Sequence, residues 1–243
     1  MQQENLYAAN PSAPALPSFR VGVDNVIFSV DTQRDRLLVL LVKRDQAPFL
    51  GEWCLPGTLV RQGESLEAAA DRILSEKIRV QNLYLEQLYT FSNPQIQPGK
   101  TPITEERYLS ISYFALVRYE AVELIRDRGS IWYPLEQVPT LAFNHQQILA
   151  YGHQRLCSKL EYSPIAFEVL PETFTLNDLY QLYSTVLGED FADYSNFRTR
   201  LLKLGFLQDT GQKVTRGAGR PASLYRFDSE AFAPLKNKPL VFV

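Results

Sequence analysis

The chain of 243 residues carries 25 lysines and arginines against 27 acidic residues, a formal net charge of −2. Hydrophobic residues make up 45% and charged residues 21% of it, a composition too apolar and too balanced for a disordered chain. This length corresponds to one large or two modest domains, each able to bury a core. The net charge alone argues against a nucleic-acid-binding protein, but the charges are not evenly distributed along the chain.

Two cysteines, Cys54 and Cys157, are too few for a disulfide scaffold and lack the spacing of a zinc site, so a reducing compartment is expected. No apolar run approaches the ~20 residues that a membrane-spanning helix needs. Segment 1–17 lacks the basic and hydrophobic regions of a secretory signal, and its three prolines predict a flexible N-terminal tail. We therefore expect a cytoplasmic protein with no membrane partner and no bound cofactor.

The chain up to residue 161 alternates between strand and helix patterns. Strands are predicted over residues 20–31, 36–44, 83–91, 107–118 and 130–135. A helix begins at its N-cap Ser65 and runs through Ile78. A second helix covers residues 144–161, with an interruption at Gly152. Strands mixed with helices in this order predict an α/β or α+β sandwich.

The pattern changes at Thr173 to that of a small helical domain. Thr175 and Asp178 form a start that resembles a capping box, and the helix that follows ends at Gly188. Ser195 is the expected N-cap of a second helix. The residues predicted for the buried face of this second helix are Phe197, Leu201, Leu202 and Leu204.

Two strand-like pieces, residues 206–207 and 224–227, follow the second helix and bracket a glycine-rich loop. Helix, helix and hairpin in this order are typical of a winged helix-turn-helix domain. Residues 198–226 carry seven basic residues and one acidic residue, Asp209, a net charge of +6 within a chain that is net negative. Such a basic surface indicates phosphate binding, and the alternative is a solvated helix face followed by a basic turn.

Residues 51–80, GEWCLPGTLVRQGESLEAAADRILSEKIRV, resemble the Nudix box, a loop–helix–loop motif that binds a divalent metal and positions a diphosphate for hydrolysis. Five of the nine fixed positions of that motif match in this chain. The matching residues are Glu64, Arg72, Leu74, Glu76 and Val80. The departures are Thr58 and Arg79 in place of glycines, and Ile73 and Lys77 in place of glutamates.

The two missing glutamates decide what this motif can do. In active members, carboxylates four residues apart project from one side of the helix and bind the metal through hard oxygen ligands. Ile73 cannot ligate Mg²⁺ and the Lys77 ammonium repels it, so the charge that develops on a diphosphate loses its main stabiliser. Arg72 and Glu76 remain as an i,i+4 pair, with Glu64 placed to pair nearby. The sequence therefore predicts a degenerate box with no catalytic residue and no metal site.

A Nudix-like domain without its metal can still bind a nucleotide. We expect the charge of Lys77 to replace that of the metal against a phosphate, with a solvated lysine as the alternative. Arg44 and Arg107, each at the end of a strand, are expected to face the same pocket. The aromatic candidates for stacking on a base, with the core as their alternative position, are Trp53, Phe91 and Tyr113. The histidines interpreted as structural are His145 and His153.

A degenerate Nudix domain followed by a winged helix resembles the NrtR family, the Nudix-related transcriptional regulators of bacterial NAD metabolism. The resemblance covers nearly the whole chain, from about Phe19 to Phe227. It implies an α+β fold, a Nudix-like α/β/α sandwich followed by a winged helix-turn-helix. It also implies a homodimeric repressor of NAD biosynthesis or salvage genes that responds to a nucleotide effector such as ADP-ribose. Related regulators of this layout bind a sugar such as arabinose instead.

The expected domains are a tail over residues 1–17, an effector-binding domain over 18–162 and a DNA-binding domain over 163–243. In the NrtR family the second helix of the winged domain enters the major groove of an operator, and the wing reaches phosphate or the minor groove. Asparagine and arginine suit bidentate contacts to adenine and guanine, whereas lysine suits phosphates. The residues expected to contact DNA are Asn196, Arg198, Thr199, Arg200, Lys203, Lys213, Arg216 and Arg220.

Two functions of other classes remain as alternatives. The first is an active Nudix-type ADP-ribose pyrophosphatase with the winged helix as an accessory. That enzyme would have to rebuild a metal site from Glu64, Glu76, Glu105 or Glu106. The second alternative is a protein-interaction role for the C-terminal domain, which the net charge of +6 over residues 198–226 disfavours.

Overall fold

The computed structural model of the protein describes residues 19–32, 34–79, 83, 85–92, 107–125, 129–188, 191–215, 220–236 and 238–240. Its strands are β1 (Phe19–Asp31), β2 (Arg36–Lys43), β3 (Trp53–Cys54), β4 (Gly57–Leu59), β5 (Ile78–Arg79), β6 (Glu86–Ser92), β7 (Arg107–Arg118), β8 (Glu123–Leu124), β9 (Ser130–Pro134), β10 (Leu207–Val214) and β11 (Ala222–Phe227). Its helices are α1 (Leu66–Ser75), α2 (His145–Tyr162), α3 (Ile165–Val169), α4 (Leu176–Leu187), α5 (Tyr194–Lys203) and α6 (Ser229–Phe232). The predicted tail over residues 1–17 lies outside the described residues.

Strand β1 is the centre of the mixed sheet in the N-terminal part of the chain. It pairs in parallel with β7 along its length and antiparallel with β2 and β4. The strand order is β3-β2-β1-β7-β6, with β9 added on β2. Val26 and Phe28 of β1 pack in the core that includes α2, whereas Val23 and Ile27 pack in the clusters that include α1. The aliphatic runs of β1 and β2 are nearly continuous because both faces of the sheet are covered.

Helix α1 begins where the sequence predicts and ends earlier. The Ser65 hydroxyl accepts the Ala68 backbone N–H at 3.1 Å and caps the helix. The helix ends at Ser75 with Glu76 as its C-cap, so the predicted continuation through Ile78 is wrong. Ile78 is buried in β5, which pairs with β8 and turns the chain away from the helix axis. The side chain of Ile78 matches the helical spacing of apolar residues in the sequence, but in the structure it is the buried residue of a strand.

Helix α2 is continuous, so the predicted interruption at Gly152 is wrong. A Cβ built on Gly152 would lie 3.1 Å from Val26 Cγ1 of β1. The missing side chain therefore lets the helix lie close against the sheet, and this close approach is what the glycine provides. No helix among the described residues is long and apolar enough to span a membrane.

The C-terminal part of the chain has the predicted helix, helix and hairpin order. Thr175 and Asp178 form a reciprocal capping box at the start of α4, and Gly188 follows its last turn with φ of +89°. The second helix, α5, is capped by Asp193 and not by the predicted Ser195. On α5, Leu202 is 37% exposed and therefore does not join the buried face that we predicted for it.

A continuous apolar core joins the sheet to the winged helix. The same cluster of buried side chains extends from Val26 of β1 through Leu156 of α2 to Leu179 of α4 and Phe197 of α5. At the end of β7, Arg118 donates hydrogen bonds to the backbone carbonyls of Val169 and Leu170 near α3. Packing and hydrogen bonds therefore hold the two parts of the chain against each other.

Candidate effector pocket and DNA-binding surface

Three side chains of the degenerate box, Thr58, Glu64 and Arg72, are joined by hydrogen bonds. Arg72 donates from Nε to Glu64 Oε1 at 2.7 Å and from Nη2 to Glu64 Oε2 at 3.0 Å. Arg72 Nη1 also donates to Thr58 Oγ1 at 3.3 Å, and Nη2 donates to the Leu59 carbonyl at 3.1 Å. Arg72 on α1 therefore ties the preceding loop to the helix. Thr58, a departure from the family pattern, serves as one of its acceptors.

The carboxylate of Glu64 stays ionised in this arrangement. Hydrogen bonds from Arg72 and from the Arg61 backbone N–H lower its pKa from the ordinary value of 4.5 to about 2. The same bond to Glu64 raises the pKa of Arg72. The predicted i,i+4 pairing of Arg72 with Glu76 is reduced to a smaller electrostatic effect that raises the pKa of Arg72, because the guanidinium donates its hydrogen bonds to Glu64. Glu76 is an exposed C-cap whose backbone N–H donates to the Arg72 carbonyl at 3.2 Å.

The two positions that should carry metal ligands are occupied quite differently from each other. Ile73 is 7% exposed and lies on the buried side of α1. Lys77 lies beyond the end of the helix, where its backbone N–H donates to the Leu74 carbonyl at 2.9 Å. Ile73 therefore lies in the core, whereas Lys77 is half-buried just after the last turn of α1. Within the described residues, no group of three or more histidine, cysteine, aspartate and glutamate side chains is arranged to hold a metal ion.

Arg44 and Lys77, two of the predicted effector ligands, both act on the pKa of Cys54. Burial raises the pKa of the Cys54 thiol to about 11, while Arg44 and then Lys77 act to lower it and Asp24 acts to raise it. Arg44 also holds the loop after β2, since its Nε donates to the Pro48 carbonyl at 2.8 Å. Its guanidinium lies 4.7 Å from the centre of the Phe143 ring. The third predicted ligand, Arg107, begins β7, and its side chain lies outside the described part of the structure.

The aromatic candidates for base stacking are mostly in the core. Phe91 and Tyr113 are 6% and 3% exposed, so neither offers a ring face to a ligand. Trp53 is half-buried and packs edge-on against Tyr133, with ring centroids 6.2 Å apart. A shallow cleft of about 440 Å³ lies elsewhere, between the start of β1 and the loop after β4. Neither Arg44 nor Lys77 lines it, so the cleft and the predicted phosphate ligands do not coincide.

His145 is structural, as the sequence indicates, and it bridges several elements. Its Nδ1 accepts the Leu55 backbone N–H at 2.9 Å, and its Nε2 lies 3.4 Å from Asp24 Oδ1. Burial lowers the pKa of His145, against the raising effect of Asp24 and together with a smaller lowering effect of Arg44. Asp24 also accepts a hydrogen bond from Ser110 of β7. The sequence reasoning missed Asp24, because nothing local to β1 marks its carboxylate.

Helix α5 presents the predicted DNA-contacting side chains to solvent. Phe197 and Leu201 are fully buried, and a helix turns by about 100° per residue, so the opposite face points outward. The residues on that outward face are Ser195, Thr199, Leu202 and Lys203. The predicted residues on its flanks, all exposed, are Asn196, Arg198 and Arg200.

The cap of α5 involves Asn196 more directly than the sequence suggests. Asp193 accepts the backbone N–H groups of Ser195 and Asn196 at 2.9 and 3.1 Å, and it also accepts a hydrogen bond from the Asn196 amide. These bonds lower the pKa of Asp193. A bidentate contact to adenine needs both the donor and the acceptor of the asparagine amide. The cap uses one of the two amide protons of Asn196, and a bidentate contact to adenine would use the other together with Oδ1.

The hairpin of β10 and β11 forms the wing and is longer than predicted. Lys213 is exposed on β10, and Arg220 is exposed just before β11. Arg226 forms an ion pair with Glu172 at 3.0 Å, so an acid outside the basic segment offsets one of its seven charges. Arg216 lies outside the described residues. The wing therefore carries two exposed basic side chains of its own, Lys213 and Arg220.

Both parts of the chain match known domain families. Residues 18–152 match the NUDIX domain, and residues 162–243 match the AraR C-terminal winged HTH domain. The chain is 34% identical over 230 residues to the ADPR responsive transcriptional repressor NtrR of Acinetobacter baylyi, which covers 92% of this chain and 88% of that protein. The chain belongs to the NrtR family of Nudix-related transcriptional regulators. This membership confirms the predicted family and the predicted fold class.

Two further similarities concern the whole fold and the N-terminal domain. The crystal structure of Shewanella oneidensis NrtR complexed with a 27mer DNA has a TM-score of 0.71 and 34% identity, covering 90% of this chain and 98% of that chain. The ADP-ribose pyrophosphatase of Methanocaldococcus jannaschii is 28% identical over 130 residues, covering 53% of this chain and 70% of the enzyme. The regulators match both domains of the chain, whereas this enzyme matches about half of it.

Proposed function

We propose that this protein is a transcriptional repressor of NAD biosynthesis or salvage genes whose DNA binding is controlled by ADP-ribose in its Nudix-like domain. The observation that carries the proposal is the joining of an exposed basic helix and wing to a Nudix frame with Ile73 and Lys77 at the metal positions. Similarity to the ADPR responsive repressor of Acinetobacter baylyi supports it. Such a repressor acts on the chromosome and therefore works in the cytoplasm.

The effector is proposed to bind without a metal ion, with its diphosphate against Arg44, Lys77 and Arg107. A diphosphate needs positive charge and hydrogen-bond donors, and an arginine guanidinium supplies both. The positive charges of Arg44 and Lys77 both act to lower the pKa of the Cys54 thiol, and Arg44 also forms a hydrogen bond with that thiol. The Arg44 guanidinium donates from Nε to the Pro48 carbonyl and from Nη2 to the Gln46 carbonyl, so its remaining N–H groups are the ones proposed to contact the diphosphate.

The proposed DNA contacts are made by the exposed faces of α5 and the wing. The residues proposed to make them are Asn196, Arg198, Thr199, Arg200, Lys203, Lys213, Arg216 and Arg220. We also propose a homodimer, because a two-fold pair of winged domains would read two half-sites separated by about one or two helical turns. The operator is then expected to be a pseudo-palindrome.

The protein is not proposed to be an enzyme, because the ionised Glu64 is held by Arg72 and neither Ile73 nor Lys77 supplies a second ligand. The second candidate function is ADP-ribose hydrolysis, which similarity to the Methanocaldococcus enzyme favours. A sugar effector is a further alternative within the same architecture. Regulation is tested by DNA binding without metal, and hydrolysis is tested by turnover of ADP-ribose with added Mg²⁺.

The DNA-binding test is a gel shift of the full chain on duplex DNA from upstream of its own gene cluster, in EDTA. We expect a specific shift that ADP-ribose changes and that arabinose does not. Lys203→Glu should abolish the shift, while Lys238→Glu, an exposed lysine outside the proposed surface, should leave it intact. A shift that responds only to arabinose would favour the sugar alternative. Absence of specific binding would contradict the repressor proposal.

A further inference from the structure

Helix α2 begins at a buried junction beside the degenerate box. His145, its first residue, is 5% exposed and accepts the Leu55 backbone N–H at Nδ1. Because Nδ1 is an acceptor, the neutral ring carries its proton on Nε2, which lies 3.4 Å from Asp24 Oδ1. Leu55 lies between β3 and β4, in the segment that leads into the box. The start of α2 is thereby attached to that segment through one imidazole ring.

Asp24 lies against the same segment and beside His145. A Cβ built on Gly57 would lie 2.0 Å from Asp24 Oδ1, so the backbone at Gly57 passes directly over this carboxylate. Asp24 also accepts a hydrogen bond from Ser110 of β7. The segment from Leu55 to Gly57 therefore contacts both His145 and Asp24. If a ligand displaces this segment, it moves the hydrogen-bond partner of His145, the first residue of α2.

The other end of α2 contacts the winged helix. The Tyr183 hydroxyl of α4 donates to the Leu160 carbonyl at 3.3 Å, and the Cys157 thiol donates to the Val186 carbonyl at 3.6 Å. The Tyr183 ring packs against Phe197 of α5, with ring centroids 5.8 Å apart. The helix has 18 residues, which corresponds to a rod of about 27 Å. One continuous helix thus joins the box to α4, and Tyr183 of α4 packs on the helix that carries the proposed DNA contacts.

We propose that His145 is a positioning residue that couples effector binding in the Nudix-like domain to DNA binding by α5, acting through α2. The proposal rests on the repressor function proposed above. It requires two arrangements of the Leu55–Gly57 segment that the effector binds with different affinity, and His145 transmits the difference as a displacement of α2. The coupling is reciprocal, so DNA must change the affinity for ADP-ribose by the same factor that ADP-ribose changes the affinity for DNA.

The test measures that factor in the full chain. The dissociation constant for the upstream duplex is measured with and without saturating ADP-ribose, and that for ADP-ribose with and without the duplex. In His145→Leu, which removes both polar contacts of the ring, we expect the factor to fall at least fivefold toward one. DNA affinity without effector should stay within about threefold of the wild type. Gln146→Leu, at the exposed neighbouring position, is the matched control and should keep the wild-type factor.

A second variant acts at the far end of α2, where no ligand is expected. Tyr183→Phe removes the hydrogen bond to Leu160 and keeps the buried ring, and it should also lower the coupling factor. If His145→Leu fails to fold or to bind ADP-ribose, Tyr183→Phe decides the question. The proposal is overturned if ADP-ribose changes the DNA affinity of His145→Leu by the same factor as in the wild type. If only Tyr183→Phe can be measured, an unchanged factor in that variant overturns it. A wild-type chain that binds no DNA or ignores ADP-ribose instead contradicts the repressor function itself.

Discussion

Gly152 of α2 lies directly against Val26 of β1, with no room between them for a methyl group. A Cβ on Gly152 would lie 3.1 Å from Val26 Cγ1 and 3.3 Å from Val26 Cβ. Val26 is fully buried, so its side chain cannot move into solvent to make room. This contact sets how closely the helix that joins the two domains approaches the sheet.

Gly152→Ala is therefore expected to destabilise the protein. Overpacking of a filled core costs about 1–3 kcal/mol, which exceeds the roughly 1 kcal/mol that alanine gains over glycine inside a helix. The free energy of unfolding in urea measures the difference. In a Val26→Ala background the added methyl has space, so the same substitution should there be neutral or stabilising. Equal effects in the two backgrounds would show that the contact does not limit the packing.

The ion pair of Glu64 and Arg72 predicts a specific loss of stability in acid. The pKa of Glu64 is lowered from 4.5 to about 2, so its contribution is fully present above pH 4.5 and disappears as the pH falls through about 2. Glu64→Gln should be less stable than the wild type at neutral pH, and the difference should shrink between pH 4.5 and 2. Urea unfolding at several pH values measures it. Glu76→Gln, at an exposed position, is the control and should not alter this dependence.

The degenerate box predicts no metal-dependent hydrolysis of ADP-ribose. With Ile73 and Lys77 in place of two glutamates, added Mg²⁺ should not raise turnover above background in an assay that follows the two products of diphosphate cleavage, AMP and ribose 5-phosphate. Turnover near ordinary enzyme rates of about 1–10³ s⁻¹ would contradict this. The double substitution Ile73→Glu with Lys77→Glu is expected to restore little activity. Ile73 is buried on the core side of α1, so a glutamate there would place a charged carboxylate among apolar side chains.

Arginine on α5 and lysine on the wing predict two different kinds of DNA contact. Arg198→Ala should cost about 1–3 kcal/mol on the operator and relax the preference at one base position. Lys213→Ala should weaken binding to all sequences alike. It should also reduce the slope of the logarithm of the binding constant against the logarithm of salt concentration by about 1, the amount expected for one phosphate contact. Salt titrations of operator and random duplex binding separate these effects. An unchanged specificity ratio in Arg198→Ala would assign that residue to the DNA backbone.

Local signals in the sequence determined much of the secondary structure and the family. The aliphatic runs of β1 and β2, the Ser65 cap of α1 and the Thr175 capping box each depend on residues within a few positions of one another. The hydrophobic period and the helix cap both involve residues within about one helical turn of each other, so both can be recognised in the sequence alone. The box and the basic segment were likewise readable, because both are continuous in sequence.

The tertiary structure decided which of several possible partners each polar side chain takes. Arg72 could pair with Glu76 on its own helix, yet the loop folds back and presents Glu64 and Thr58 as a bidentate and closer set of acceptors. Asp193 and Ser195 are both residue types that cap helices well. Asp193 is the cap in the folded protein, and α5 then begins at Tyr194, whose ring packs against Tyr180 of α4 with centroids 5.2 Å apart.

The junction of Asp24, Leu55 and His145 is the clearest case of a contact that the sequence patterns do not predict. These residues lie far apart in the chain and meet only because β1, the segment before β4 and the start of α2 converge in the folded protein. No periodicity or spacing encodes such a meeting. A buried imidazole takes whatever donor and acceptor the surrounding elements bring within hydrogen-bond distance, and that choice depends on packing rather than on sequence neighbours.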